Sequence, residues 1–184
     1  MENRLKVRLG LTVMGSVVAI GTALALGGSP ALANQADHFS IENSSHTAYY
    51  MQTNNVPNFP LFVEAGDNNQ AIFSNINGSH KSILGTTRPV YEWKQVGTNR
   101  CWTYESDTSY LVTKTCVAGR TSQLFWQPVD GQADRQFINV WASNTRGAYY
   151  CVNASHASDG AKINVIRCKR KSDPGGFDQY WYPY

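Results

Sequence analysis

Hydrophobic and polar positions alternate over short runs from residue 34 onward, and turn residues interrupt these runs every few positions. Alternation with a period of two is typical of half-buried strands, whereas a helix needs apolar residues at spacings of three and four. The pattern predicts twelve short strands and no convincing helix. Residues 136–141 are among the predicted strands, and residues 75–89 form the longest gap between strands.

One short motif occurs three times, at intervals of about fifty residues. It is a Gln followed, after one spacer, by a large aromatic residue. Its copies are Gln179 with Trp181, Gln123 with Phe125, and Gln70 with Phe73, the last with one extra residue between them. A Gln amide that can bond turn backbone, followed by a bulky ring, suits a short strand that enters a shared core. Three copies indicate three similar structural units.

The cysteines follow the same repeat. Met51, Cys101 and Cys151 are 50 residues apart, and a second set in the same phase is Ala65, Cys116 and Cys168. A fixed period of this size indicates a repeated supersecondary unit. The phase favours the pairs Cys101–Cys116 and Cys151–Cys168 over the two other possible pairings. Each bridge would close a loop of about 15 residues and contribute on the order of 3 kcal/mol.

The N-terminal segment has the pattern of a secretory signal peptide. Arg4, Lys6 and Arg8 precede an almost wholly apolar run over residues 9–26, and Ala31-Leu32-Ala33 offers a small-x-small cleavage site. We expect residues 1–33 to be removed and a single domain, residues 34–184, to be secreted with no membrane span. An uncleaved membrane anchor is the alternative. Export would place the four cysteines where disulfides persist.

The formal charge of +3 does not indicate nucleic acid as a partner, because three of the basic residues and one acid lie in the signal segment and the remaining chain is close to neutral. Thirteen basic and twelve acidic residues remain after residue 33. A basic run, Arg167, Lys169, Arg170 and Lys171, could meet an anionic polysaccharide, although a solvated loop is the simpler interpretation.

Taken together, the paired cysteines, each pair followed by a Gln-x-aromatic motif, resemble the ricin-type lectin β-trefoil. The resemblance covers nearly all of residues 34–184 and is strongest in the third repeat. It implies an all-β fold, with three repeats of about fifty residues and four strands each closing a pseudo-threefold barrel. The repeats would span about residues 38–74, 90–127 and 136–184. In that family the Gln-x-Trp motif is structural, so it indicates fold more than function.

The same resemblance identifies candidate sugar ligands. The family uses an Asp just after the first cysteine of a repeat, a stacking aromatic before the second, and a polar pair that includes the motif Gln. The Asp position here holds Thr53, Thr103 and Asn153, and the stacking position holds Val63, Lys114 and Ile166. The third repeat alone keeps plausible ligands, namely Asn153, Asn164, Asp178 and Gln179. With no stacking ring, binding should be weak, on the order of millimolar.

Aromatic residues are more numerous than the motif explains, and Tyr104 and Trp141 are among the additional ones. Core packing is the simpler role for each, and a stacking platform for glycans or a protein interface is the alternative.

An enzyme is not indicated. The chain lacks the motifs of serine hydrolases, zinc proteases and phosphate-binding loops, and its four His residues are scattered. We expect no catalytic residues, no metal and no cofactor. The sequence predicts a secreted, non-catalytic carbohydrate-binding module whose partner is a glycan or cell-wall polysaccharide. The alternative is a protein-binding trefoil that acts as an accessory subunit of a secreted toxin or as a protease inhibitor.

Overall fold

A computed structural model describes residues 36–37, 39–42, 48–54, 56–65, 71–128, 135–155 and 158–183. The predicted signal segment, the first motif glutamine Gln70, and His38, His46 and His156 lie outside the described residues. The prediction of a cleaved signal therefore stays a prediction. No helix within the described ranges has the length and apolar character that crossing a bilayer requires.

The described residues form one mostly antiparallel sheet that curls on itself. Its strands are β1 Ala36–Asp37, β2 Phe39–Glu42, β3 Ala48–Gln52, β4 Phe62–Ala65, β5 Phe73–Ile83, β6 Thr86–Gln95, β7 Arg100–Tyr104, β8 Leu111–Thr115, β9 Leu124–Trp126, β10 Ile138–Asn139, β11 Tyr150–Ala154, β12 Ala161–Arg167 and β13 Tyr182–Pro183. One helix, α1, spans Val140–Arg146, and single 3-10 turns span Thr121–Gln123 and Phe177–Gln179. The first and last parts of the described chain meet where β13 pairs with β2.

Three equivalent hairpins, β3–β4, β7–β8 and β11–β12, bond to one another in a triangle. The amide of Leu61 donates to the carbonyl of Leu111 at 2.8 Å, that of Val165 to Ser109 at 2.8 Å, and that of Ile163 to Leu61 at 2.7 Å. Each hairpin therefore satisfies backbone groups of the next, which leaves fewer unpaired strand edges around the ring.

Aromatic side chains fill the interior. Trp93 and Trp102 stack with their centroids 5.5 Å apart, and the rings of Phe39 and Phe137 each meet both of them edge-on at 5.0–5.4 Å. All four side chains are buried. Edge-to-face pairs at this separation stabilise the fold beyond the burial of apolar area. These four aromatic residues are therefore core residues.

Burial confirms the predicted threefold pattern of the motif's rings, and hydrogen bonds show the role of the glutamine in the second and third copies. Phe73, Phe125 and Trp181 are all fully buried. The Gln123 amide bonds backbone on both sides of Cys116, accepting from the Val117 amide at 2.8 Å and donating to the Thr115 carbonyl at 2.9 Å.

Gln179 repeats this arrangement around Cys168. Its Oε1 accepts from the Lys169 amide at 2.7 Å, and its Nε2 donates to the Arg167 carbonyl at 3.0 Å. The predicted disulfides Cys101–Cys116 and Cys151–Cys168 are both present. Each glutamine thus fixes the chain that enters and leaves a disulfide.

The sequence predicted a gap between strands over residues 75–89. This prediction is wrong, because these residues belong to the longest hairpin. Strands β5 and β6 pair from Phe73 with Gln95 to Ile83 with Thr86. Two features make this hairpin hard to predict from the sequence. Its central part is polar on both faces, and its turn uses Leu84 at φ 50° followed by Gly85 at φ 81°. Positive φ at both central residues defines a tight hairpin turn that Asn-Gly usually signals.

The predicted strand over residues 136–141 is also corrected, because strand β10 stops at Asn139 and α1 follows. The Asn139 side chain caps the helix by accepting from the Ala142 amide at 2.9 Å, and Gly147 ends it at φ 68°. An Asn cap and a glycine in the left-handed region are known helix boundaries. The adjacent apolar residues Phe137 and Ile138, followed by Val140 and Trp141, resemble a short buried strand and obscure these helix signals in the sequence.

The hairpin and α1 pack against each other. Ile83, Val90, Leu124 and Val140 form a second, small hydrophobic cluster that Trp126 and Tyr149 flank. Asn144 of α1 accepts from the Leu84 amide at 2.9 Å and donates to the Ser82 carbonyl at 2.9 Å. These contacts hold the far end of the hairpin on the helix.

We predict that Trp181→Ala lowers the free energy of unfolding by about 3–5 kcal/mol, because it opens a cavity in the main core. It also leaves the Val152 carbonyl without the indole Nε1, which now donates to it at 3.1 Å. Chemical denaturation measures the change. Phe177→Ala is the control, since this ring is 47% exposed and its loss should cost roughly 0.5 kcal/mol or less. Equal effects of the two variants would contradict the assigned core.

Candidate functional site

A surface depression of about 400 Å³ lies in the third repeat, between the β11–β12 hairpin and the loop that follows Cys168. Its lining combines amides, a hydroxyl, a carboxylate, an ammonium and an apolar side chain. The lining residues are Asn153, Ser155, Asn164, Ile166, Lys169, Pro174, Gly175 and Asp178.

The strand register places the two asparagines together. Asn153 of β11 lies directly opposite Asn164 of β12. Side chains two residues apart on a strand share a face, so Ser155 and Ile166 lie on the same side of the hairpin as this pair. A single hairpin face therefore supplies half of the lining.

Hydrogen bonds fix the orientation of these amides. The Asn153 Nδ2 donates to the Asn164 Oδ1 at 3.0 Å, and the Asn164 Nδ2 donates to the Ser155 Oγ at 3.0 Å. Each amide has two donor hydrogens and an oxygen with two lone pairs, so these bonds use only part of their capacity. The row of polar groups is oriented before any molecule binds.

The loop after Cys168 forms the opposite wall. The Lys169 ammonium donates to the Pro174 carbonyl at 2.8 Å, and the Arg170 amide donates to the Asp173 carboxylate at 2.9 Å. Gly175 has φ 69°, and a methyl group in its place would lie 3.2 Å from the Lys169 Nζ and 3.5 Å from the Asp178 Oδ2. A cation and a carboxylate therefore flank this glycine at the edge of the depression.

Three of the four sugar ligands predicted from the sequence, Asn153, Asn164 and Asp178, are brought together here. Gln179 is not. Its side chain is fully buried, and its amide is used by backbone on both sides of Cys168. A bound molecule could reach it only by breaking those bonds, so the structure corrects its expected role to a structural one.

Sequence reasoning missed Ser155 and Lys169. Ser155 follows Asn153 by two residues and so shares its face, a signal that the strand period could have supplied. Lys169 belongs to the basic run that was predicted to be a solvated loop. One member of that run therefore lines the depression, whereas Lys171 lies 5.6–5.8 Å from three ring centroids.

The equivalent surface of the second repeat is filled. Lys114, at the position of Ile166, forms a 2.6 Å salt bridge with Glu105. Thr103, at the position of Asn153, is as buried as that asparagine, but its hydroxyl is bonded inward and accepts from the Gln123 Nε2 at 2.9 Å. In the first repeat Val63 stands at the Ile166 position and is fully buried. Among the residues that the structure describes, this polar lining is therefore found in the third repeat.

The third-repeat depression can offer hydrogen bonds of several kinds around one apolar side chain. Carboxylate, amide and hydroxyl groups accept from hydroxyls, while ammonium and amide groups donate to them. Within the described ranges, no three His, Cys, Asp or Glu side chains are grouped as ligands of a metal ion would be.

Comparison with solved structures identifies the architecture. The chain is similar to the designed threefold symmetric protein ThreeFoil, with 13% identity over 80% of this chain and 96% of that one and a TM-score of 0.54. It is similar to the Haemophilus ducreyi cytolethal distending toxin, with 13% identity over 79% and 81% of the chains and a TM-score of 0.55. A third similar structure is the BEL β-trefoil, with 12% identity over 82% and 93% and a TM-score of 0.55.

The fold is a β-trefoil. The fold class predicted from the sequence is therefore confirmed. At 12–13% identity these likenesses concern the fold alone. No family model and no curated protein matches the chain.

Substitutions of the neighbouring residues Gln179 and Asp178 should differ in their effect on stability. We predict that Gln179→Ala lowers the free energy of unfolding by roughly 1–3 kcal/mol, because the Lys169 amide and the Arg167 carbonyl lose a buried partner. Asp178→Asn, a substitution at the half-buried rim, should stay within about 0.5 kcal/mol. Urea unfolding compares the two. A larger loss for Asp178→Asn than for Gln179→Ala would show that the two roles are assigned the wrong way round.

Proposed function

We propose that this trefoil is a secreted, non-catalytic carbohydrate-binding module of the ricin-type class, and that sugar binds in the third-repeat depression. The observation that carries the proposal is the convergence of Asn153, Asn164 and Asp178 on one surface. In the sequence Asn153 holds the position just after Cys151, Asn164 precedes Cys168, and Asp178 stands beside the motif residue Gln179. A depression with polar groups aimed at its interior is the expected form of a small-molecule site.

The chemistry suits a polyhydroxylated ligand. A sugar ring presents hydroxyls that donate and accept, and the site offers an Asp178 carboxylate and two amides as partners. Bonds to the carboxylate are charge-assisted and stronger than bonds between neutral groups. The Lys169 ammonium adds a donor across the depression from the asparagine pair.

Rigid surroundings support the proposal. The Cys151–Cys168 bridge ties β11 to the end of β12, and Gln179 bonds the backbone on each side of Cys168. Both walls of the depression are therefore fixed before a ligand arrives. Preorganisation lowers the entropy that binding costs.

The affinity of this site should be low. Ile166 occupies the position at which a ricin-type site has its stacking ring, so the ring contribution of roughly 0.5–1.5 kcal/mol is missing. A dissociation constant on the order of millimolar follows for one sugar unit.

Secretion is part of the proposal. The predicted signal segment and the two disulfides both fit an oxidising compartment. No cofactor or metal is needed for the proposed activity, and the partner is a glycan or a cell-wall polysaccharide.

A glycan and cell-wall polysaccharide array, followed by calorimetry on the best ligand, tests the proposal. We predict that Asp178→Asn combined with Asn164→Ala weakens binding by at least roughly tenfold, since it removes a charge-assisted and a neutral hydrogen bond. Lys114→Ala is the matched control, because it changes the equivalent surface of the second repeat and should leave the affinity unchanged.

Undiminished binding by the double variant would place the sugar elsewhere. An array without any bound glycan, together with a specific protein recovered from culture supernatant, would favour the alternative of a protein-binding trefoil. That alternative has one structural observation in its favour, which is that Val56 and Phe59 in the turn before β4 are 50% and 43% exposed.

Ile166→Tyr should increase the affinity. A ring at this position can cover the apolar face of the sugar, and a gain of roughly 0.5–1.5 kcal/mol corresponds to about a two- to tenfold lower dissociation constant. Val63→Tyr is unsuited as a control because Val63 is buried. Lys114→Tyr places the same ring in the second repeat and should not change the affinity of the third-repeat site. A gain with Lys114→Tyr but none with Ile166→Tyr would contradict the proposed location.

A further inference from the structure

A second depression, of about 360 Å³, lies between the second repeat and α1. Its lining contains two aromatic rings, three hydroxyls and a guanidinium. The lining residues are Tyr104, Ser106, Arg120, Thr121, Ser122 and Trp141.

This depression is distinct from the filled surface of the second repeat. Tyr104 follows Thr103 on β7 and therefore projects to the opposite face of the strand. Neither Thr103 nor Lys114, which mark the repeat-equivalent surface, lines the second depression. Trp141 comes from α1, the helix that replaces a predicted strand. The residues of the first depression contribute nothing to it.

The aromatic wall is fixed by Arg146. The rings of Tyr104 and Trp141 lie 5.5 Å apart at an interplanar angle of 36°. The Arg146 Nη2 donates to the Tyr104 hydroxyl at 2.7 Å, and its guanidinium lies 4.9 Å from the centroid of the Tyr150 ring. Trp141 is packed against the main core yet only partly buried. Its exposed surface is available to a ring-shaped ligand.

The loop that carries the hydroxyls is also anchored. The Gly119 amide donates at 2.9 Å to the carboxylate of Glu92, which is fully buried and also accepts from the Asn77 side chain at 2.9 Å. The Arg120 amide donates to the Val117 carbonyl at 3.1 Å, and its carbonyl accepts from the Gln123 amide at 2.8 Å. Arg120 is thereby placed on an ordered rim with its side chain exposed.

Two guanidinium groups lie at this depression. Arg120 lines it and Arg146 stands behind the tyrosine ring. Two carboxylates lie close by: Asp107 accepts from the Ser106 hydroxyl at 3.1 Å, and the buried Glu92 accepts from the amide of Gly119, which precedes Arg120. The carboxylate of Glu105 is paired with Lys114. Arg120 is therefore the charged group that the depression itself presents beside its rings and hydroxyls, because no carboxylate is among the lining residues.

We propose that this second depression binds an acidic sugar residue, a uronate or a sialic acid, whose ring stacks on Trp141 and whose carboxylate pairs with Arg120. The hydroxyls of Ser106, Thr121 and Ser122 would bond the sugar hydroxyls. A guanidinium matches a carboxylate in a two-pronged geometry, which a neutral sugar cannot use. The proposal rests on observations independent of the third-repeat depression.

The test is titration in low salt with methyl glucuronide and 3′-sialyllactose, each compared with its neutral parent, methyl glucoside or lactose. Asp178→Asn with Asn164→Ala serves as the background, so the third-repeat depression does not contribute. Calorimetry measures the affinities, quenching of tryptophan fluorescence in variants that keep Trp141 reports binding beside that ring, and a thermal melt confirms the fold of every variant. The two acidic probes show which acidic sugar fits better.

We expect at least one acidic sugar to bind at least roughly fivefold more tightly than its neutral parent, and this preference to fall as salt is added. Arg120→Gln should abolish the preference, while Arg120→Lys should retain part of it. Trp141→Ala should lower the affinity for the acidic sugar and for its neutral parent. Arg170→Gln, which removes an exposed cation elsewhere, should change nothing.

Equal affinity for acidic and neutral sugars in the background protein would overturn the proposal, as would a preference that survives Arg120→Gln. Because Arg120 is exposed, its variants test the site even if Trp141→Ala fails to fold. If sugar binding fails only at the third-repeat depression, the acidic-sugar proposal is unaffected. If the acidic-sugar preference fails only at the second depression, the proposed function is unaffected.

Discussion

The hydrogen bonds of the motif glutamines are the constraint on which the surface of this trefoil depends. Gln123 and Gln179 each bind one amide and one carbonyl on either side of a disulfide cysteine. Both are fully buried, so these bonds have no competition from water. The same residues close the core, because each precedes by two positions a buried ring. One short motif thus connects the barrel interior with the loop that shapes each repeat's surface.

The first and second depressions arise from two different departures from threefold symmetry. In the third repeat Ser155 and Ile166 stand where the second repeat has the Glu105–Lys114 pair, and Asn153, Asn164 and Asp178 line the depression beside them. The second depression depends on the helix near the start of the third repeat, since α1 brings Trp141 beside Tyr104. Helix α1 is itself held by Asn144 bonding the tip of the β5–β6 hairpin. Variation of elements around a constant barrel has therefore produced two surfaces with different chemistry.

The repeat and the disulfides could be predicted from the sequence because they depend on spacing, which a fold conserves internally. Trp181 and its equivalents were identified in the same way. The β5–β6 hairpin could not, since its middle is polar on both faces and its turn uses Leu84 in place of the usual Asn. The role of Gln179 depended on which way its amide points, and only the structure shows that it faces backbone. The Tyr104–Trp141 contact joins residues from separate elements and leaves no periodic signal.

The most direct test of the central claim is to follow the side-chain amide resonances of Asn153 and Asn164 in ¹⁵N-labelled protein during titration with the best glycan from the array. The proposed site predicts that these two NH₂ groups shift in a saturable manner, while the buried Gln179 amide moves little. Saturable shifts confined to other surfaces, with the two asparagine amides unchanged at saturation, would contradict it.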